Sequence, residues 1–247
     1  MAVARAARGW IIAGIVLAAL AIVLVVADFG VRAAAEDRLE SEVEAALPEG
    51  VSGEVQARVG GFSVLAQLIV GRAEQVELSA PELVVDGAPM SVDVLAQGVP
   101  LDLSQPVDRI DATIRLDEDA LNTLALAQGV PGGFTLGDGV VGYDGSVEVL
   151  GIPIRYSATA EPEAAGDRVL LRPVGVEVGA GGATIDLSRV TAAVLDGDPL
   201  TVCTAESLPA GVEVAAIAVS PDDAVVRLEA TGLVLDEAHL EQTGTCG

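Results

Sequence analysis

Hydrophobic positions in this chain follow three patterns in turn. From Trp10 to Ala27 they form an unbroken run of eighteen residues without a charge, about 27 Å long as a helix and close to the thickness of a bilayer core. From Val31 to Leu47 they recur every fourth residue (Val31, Ala35, Leu39, Val43, Leu47), with Arg32, Glu36, Asp37, Arg38, Glu40, Glu42 and Glu44 between them. That spacing predicts an amphipathic helix, stopped by Pro48-Glu49-Gly50. Beyond it the period falls to two: Val51 to Val59 alternates apolar with polar residues and predicts a half-buried strand.

The alternation is interrupted once, at Gly60-Gly61-Phe62-Ser63-Val64-Leu65-Ala66-Gln67-Leu68-Ile69-Val70-Gly71-Arg72. The paired glycines break the strand, residues 63–70 make about two helical turns, and Gly71 is placed to cap them. So apolar a segment must be covered by the domain's core, a membrane surface or a lipid. Alternation resumes through Val76, Leu78 and Ala80, is disturbed at Pro81, and continues over Leu83 and Val85 to an Asp86-Gly87 turn. Met90–Leu101 (Val92, Val94, Ala96) and Ile110–Leu116 (Ile110, Ala112, Ile114) repeat it as long antiparallel strands. Asp117 is a natural N-cap for a helix through about Ala127 with Leu121, Leu124 and Ala125 on its apolar side.

The second half again reads as strands, at Val140–Tyr143, Ser146–Leu150, Ile154–Ala160, Arg168–Val178, Val212–Val219 and Ala224–Leu235. Turns are expected at Asp144-Gly145, Gly151-Ile152-Pro153 and Pro221-Asp222-Asp223, and a short helix at Asp186–Leu195. No linker or change of composition divides the chain after residue 30. The prediction is therefore one α+β domain with a dominant antiparallel sheet, over residues 28–247, behind a short N-terminal tail (1–9) and an apolar segment (10–27).

The apolar segment reads as an uncleaved transmembrane anchor, with Trp10 at its interface and Arg5 and Arg8 before it. A cleaved signal peptide is the competing reading, since Ala33-Ala34-Ala35 offers small residues, but these lie beyond Asp28 and Arg32. Arg32 and Arg38 follow the run as closely as Arg5 and Arg8 precede it, so arginines alone do not orient it.

Composition narrows the function. Residues are 51% hydrophobic but only 2% aromatic, so the interior is aliphatic and stacking platforms for sugars or bases are excluded as a main device. All thirteen basic residues are arginine, and from Asp28 onward eleven of them face thirty-seven acids, a formal −26. Nucleic acid is excluded as a partner, and lipid handling would have to rest on acyl-chain burial rather than a basic patch. Cys203 and Cys246 could be joined, closing a loop of about 44 residues that would contribute about 4 kcal/mol and placing the domain outside the cytoplasm; two buried free thiols are the alternative.

Catalytic chemistry finds little support. There is no lysine, His239 stands alone near the C-terminus, and Asp117-Glu118-Asp119, Asp196-Gly197-Asp198 and Asp222-Asp223 sit at helix starts or turns, where Asp is favoured for backbone reasons. Gly179–Gly182 matches no phosphate-binding motif. No metal site and no cofactor are expected, beyond weak Ca²⁺ binding at Asp196 and Asp198 as an open alternative.

The order of apolar segment, amphipathic helix, strand, Gly60-Gly61-Phe62, Leu65, Gln67-Leu68, Gly71-Arg72, Val76-Glu77-Leu78 and Val99-Pro100-Leu101 resembles the actinobacterial LmeA-type phospholipid-binding envelope proteins, most specifically over residues 31–126. The resemblance implies a membrane-anchored extracytoplasmic domain of the tubular lipid-binding, BPI-like kind, in which a strongly curved antiparallel sheet wraps a long amphipathic helix around an apolar groove. It implies phospholipid or glycolipid acyl chains as ligand, the plasma membrane as a partner through the N-terminal helix, and envelope-assembly proteins as further partners. The severe acidity and missing lysine depart from that pattern. Phe62, Leu65, Leu68 and Ile69 are expected to close or line one end of the groove, with Val76, Leu78, Val92, Val94, Ile110, Ile114, Leu121 and Leu124 along it. With Arg72 as its only charge, the 60–72 segment lacks the basic residues usual in surface-binding helices. Two other classes stay open: a non-catalytic envelope scaffold with a filled core, and a hydrolase using Asp117 and Asp119.

Overall fold

The computed structural model describes residues 3–130, 133–149, 152–180, 183–186 and 199–246, and side chains within 21–130, 133–146, 155–177 and 199–246. One continuous helix, α1 (Val3–Ala45), joins the two predicted helical segments. The expected anchor falls partly outside the described side chains, at residues 10–20. Among the described residues no helix is long and apolar enough to cross a membrane.

After α1 the chain forms β1 (Val51–Ser52) and β2 (Gln56–Val59), two strands where alternation predicted one. The gap contains Gly53 at φ 153°, where a Cβ would strike the Glu82 carbonyl. Helix α2 (Val64–Val70) follows between its predicted caps: Ser63 Oγ accepts from the Ala66 N–H, and Gly71, at φ 80°, donates its N–H to the Gln67 carbonyl. Strand β3 (Arg72–Val85) then pairs with β4 (Ala88–Pro100) across Asp86 and Gly87, whose φ values of 49° and 86° suit the primed hairpin turn this dipeptide favours. Pro81 sits in an irregularity of that ladder between Ala80 and Leu83, as a residue without an N–H requires.

Two antiparallel sheets result. The first contains β1, β2, β3, β4, β5 (Arg109–Leu116), β13 (Ala224–Thr231) and β12 (Val212–Val219), in the order β1-β3-β4-β5-β13-β12 with β2 also on β3. The second contains β6 (Phe134–Leu136), β7 (Val141–Val149), β8 (Ile152–Ala164), β9 (Arg168–Ala180) and β10 (Ala183–Asp186), with β11 (Leu200–Cys203) also on β9. Helix α3 (Glu118–Ala127) leads from the first sheet to the second, starting at the predicted cap, where Asp117 Oδ1 accepts from the Ala120 N–H at 2.8 Å. A 3-10 turn (Ala205–Ser207) leads back, and α4 (Glu237–Leu240) lies near the C-terminus. Strand β12 links the sheets, through Val214 N–H to the Gly166 carbonyl (2.8 Å) and Gly139 N–H to the Val219 carbonyl (3.0 Å).

The single strongly curved sheet wrapped around the long helix is thus corrected to two sheets, neither closed nor strongly curled. The helix lies against β2 and α2 at one edge of the first sheet. Asp144-Gly145 is likewise not a turn: β7 runs straight through it, because Gly145 pairs with Tyr156, whose ring occupies the space a Cβ would need. The predicted helix Asp186–Leu195 lies outside the described residues beyond Asp186, which ends β10.

Candidate functional site

The site begins with the polar stripe of α1. Glu36, Glu40 and Glu44, four residues apart, accept from the backbone N–H groups of Val59 (2.9 Å), Ala57 (2.8 Å) and Val55 (3.0 Å). A strand edge that would otherwise present unpaired donors is thereby saturated by carboxylates. One turn earlier, Arg32 donates to the Val59 and Gly61 carbonyls at 2.8 and 2.9 Å. Asp28 then accepts from Ser63 Oγ (2.8 Å) and from the Leu65 N–H (2.9 Å) at the start of α2. The α2 amide and the Ser63 hydroxyl hold the Asp28 carboxyl below its ordinary range, with Arg32 adding to the effect.

These bonds hold α1 and α2 beside one another over an apolar hollow. Gln67, the buried polar residue of α2, donates to the Gly60 carbonyl (2.8 Å) and accepts from the Glu74 N–H (2.9 Å). Gly61 sits at φ 92°, a left-handed conformation that favours glycine, beside the Gln67 amide and the Glu74 carboxylate. Arg72 pairs with Asp108 (2.9 Å) and donates to the Pro106 carbonyl (2.9 Å), fixing the β4–β5 connection across the far side.

The space between α1 and α2 is an open-mouthed cavity of about 300 Å³, within the range of small-molecule pockets. Ala35 and Leu39 of α1, Val59 of β2, Val64 and Leu68 of α2, Ala73 and Val76 of β3, and Val99, Pro100, Leu101 and Leu103 line it, with Arg38, Glu42 and Gln67 as its polar members. Arg38 and Glu42 are ion-paired at 2.8 Å and largely exposed, so they form a polar rim, whereas Gln67 is buried within the otherwise aliphatic floor.

From Val76 the floor continues onto one face of the first sheet. Register places Val59, Val76, Ala96, Ile110, Ala230 and Val212 in one row, Ala57, Leu78, Val94, Ala112, Leu228 and Val214 in the next, and Ala80, Val92, Ile114, Val226 and Ile217 in a third. Six strands at about 4.8 Å spacing make this face about 24 Å wide. The opposite face is polar, with Arg109 bonded to Asp111 and Glu229 and Ser79 to Asp93. Val76, Leu78, Val92, Val94, Ile110, Ile114 and Leu228 are all only half-buried, and the buried apolar residues are chiefly alanine and valine. Val107 is the one large side chain fully buried among the described residues.

Of the residues expected at the groove, the structure brings Leu68 and Val76 to the cavity and Leu78, Val92, Val94, Ile110 and Ile114 onto the continuous face. Leu121 and Leu124 are half-buried on α3, and Leu65 is half-buried on α2. Phe62 and Ile69 are not brought there: they are 97% and 88% exposed. Leu39, Leu101 and Leu103 were missed; Leu39 carries the helical spacing and Leu101 follows Val99-Pro100, so pattern pointed to both without showing that they meet.

The polar groups have structural partners. Asp117 caps α3, and His239 is exposed against Asp236, which caps α4 through the His239 N–H. Asp196 and Asp198 lie outside the described residues. Cys203 and Cys246 are joined in a disulfide, with Cα atoms 5.9 Å apart, fastening the C-terminus to β11.

A model of the family described as LmeA-like phospholipid-binding matches residues 26–229 of the chain. That match covers α1 from Val26 onward, the whole cavity, and both sheets up to Glu229 of β13. No curated protein and no solved structure gives a significant match.

Proposed function

The chain belongs to the LmeA-like phospholipid-binding family, a lipid-binding rather than an enzyme family, and on that premise we propose that it is a membrane-anchored, extracytoplasmic protein. It holds phospholipid or glycolipid acyl chains against its aliphatic groove, for lipid transport or envelope glycolipid assembly. The observation that carries this reading is the apolar face of the first sheet, whose large side chains stay half-buried where a filled core would seal them. Each methylene laid on that face stabilises the complex by about 0.8 kcal/mol, so affinity grows with chain length and needs no directional group. The disulfide suits an oxidising compartment, and residues 10–27 supply the anchor.

Native mass spectrometry of the full chain, purified from membranes, tests it. Adducts with phospholipid or glycolipid masses are expected, and Val76→Asp should remove them while circular dichroism and the melting cooperativity remain as in the wild type. A clean apo mass for the wild type that persists after incubation with phospholipid vesicles overturns the reading. Val92→Asp serves as a second probe if Val76→Asp fails to fold, because Val92 lies on the same face away from the cavity.

A further inference from the structure

The exposed side of α2 is as apolar as the cavity side. Phe62 is 97% exposed, Ile69 88% and Val70 78%, and Leu68, Leu101 and Leu103 at the cavity are about half exposed. Scattered exposed hydrophobes are ordinary; Phe62, Leu68, Ile69 and Val70 fall within a single segment with no charge from Gly60 to Gly71. Ser63 and Asp28 take the Ala66 and Leu65 N–H groups at the start of α2, the Gly71 N–H closes onto the Gln67 carbonyl at its end, and the neighbouring Arg72 is paired with Asp108.

Position supplies the partner. Asp28 holds the start of α2, and Asp28 is the residue at which the uncharged run of α1 ends. Arg32 holds the Gly61 carbonyl one turn on. Ile22–Val26 and Phe29, on the α1 turns leading to that point, are also more than half exposed. An apolar helix segment and an apolar short helix are thus fastened together where the chain turns from uncharged to acidic.

We infer that the outer side of α2, with Phe62, Ile69 and Val70, rests in the interface of the bilayer that holds α1, so that the α1–α2 cavity opens directly onto lipid. The partner is a lipid surface recognised by apolar burial rather than by headgroup charge, which suits a domain this acidic. The inference rests on the anchored reading above and adds the surface through which lipid passes. It also reverses the expectation drawn from the lack of basic residues, because α1 performs the attachment that lysine and arginine perform in a free interfacial helix.

Trp10 is the single tryptophan, so full-length Trp10→Phe protein carrying Phe62→Trp or Ile69→Trp reports on one site at a time. Val174→Trp, at an exposed position of β9, is the reference. In phosphatidylcholine vesicles with brominated acyl chains, the reporters at 62 and 69 should be blue-shifted, lose most of their emission to the bromolipid and be shielded from aqueous iodide. The reporter at 174 should remain iodide-sensitive and bromolipid-insensitive. Protein that floats with the vesicles yet leaves the reporters at 62 and 69 in water overturns this inference and leaves the anchored reading standing. Protein that does not float overturns both, and quenching at 62 and 69 in protein that carries no lipid adduct supports docking while removing the groove.

Discussion

Two helix–strand seams of this molecule use the same device to different ends. At α1, Glu36, Glu40 and Glu44 saturate the donors of residues 55–59. At α3, Glu118 accepts from the Leu136 N–H (2.9 Å), and Asn122, four residues later, accepts from the Gly133 and Phe134 N–H groups and donates to the Phe134 carbonyl, all within 2.9 Å. Both seams solve the edge-strand problem with side chains at helical spacing. What lies behind them differs. Beside the α3 seam the rings of Phe134 and Tyr143 pack at 4.9 Å, with Tyr156 beside Tyr143 at 6.1 Å. Behind the α1 seam the lining is aliphatic except for Arg38, Glu42 and Gln67, around about 300 Å³ of open volume. Three of the chain's six aromatic residues thus gather beside the α3 seam, and none lines the α1 cavity.

That contrast can be broken by cutting each seam in turn. Asn122→Ala should have the larger effect, about 3 kcal/mol off the unfolding free energy, because it strands two N–H donors and one carbonyl of the β6 edge. Urea unfolding measures it, and lipid adducts should persist in the folded variant. Glu40→Ala should cost about 2 kcal/mol, since the Ala57 N–H alone loses its acceptor, and should also reduce lipid adducts because α1 is a wall of the cavity. Glu40→Gln keeps an acceptor oxygen and should recover most of both. Equal loss of lipid in the α3 and α1 variants would mean that the seams are not functionally distinct.

The parts of this architecture that were legible from sequence are those set by neighbours along the chain. Ser63 and Gly71 bound α2, Asp117 starts α3, and Asp86-Gly87 turns β3 into β4, because caps and tight turns are chosen by backbone conformation over a few residues. The partition of strands between two sheets was not legible, since alternation shows which face of a strand is apolar and not which strand lies beside it. Gly145 shows the limit in one residue: Asp-Gly signals a turn locally, and only the Tyr156 ring across the ladder explains why the strand continues. The acidic stripe of α1 failed for a similar reason. Glu36, Glu40 and Glu44 look like a solvated face until Val59, Ala57 and Val55 supply the N–H groups that donate to them. At the site, period picked out Val76 and Leu68, whereas Phe62 and Ile69 could be assigned to the inside or the outside only once Gln67 was seen to occupy the buried side of α2.

The smallest predicted effect separates the seams by pH. Asp28 closes the α1 side by bonding the first turn of α2, and its carboxyl is held below the ordinary range chiefly by the Leu65 N–H, then by Ser63, with Arg32 contributing less. A carboxyl lowered in the folded state stabilises it above the unfolded value near 3.8, and that contribution disappears as pH falls through the folded value. Wild-type protein should therefore lose more stability than Asp28→Asn as the pH is taken from 5 to below the ordinary carboxylate range. Because the two proteins differ at no other residue, the difference between their urea midpoints isolates Asp28. A reporter at Ile69→Trp in the Trp10→Phe background should become more mobile over the same interval if α2 is released, while the α3 seam, held in part by the non-titrating Asn122 amide, should keep the emission of Tyr143 and Tyr156 steady. Parallel midpoint curves for wild type and Asp28→Asn would show that Asp28 does not control the α1 seam, leaving Arg32 and the three glutamates as the groups that hold the cavity open.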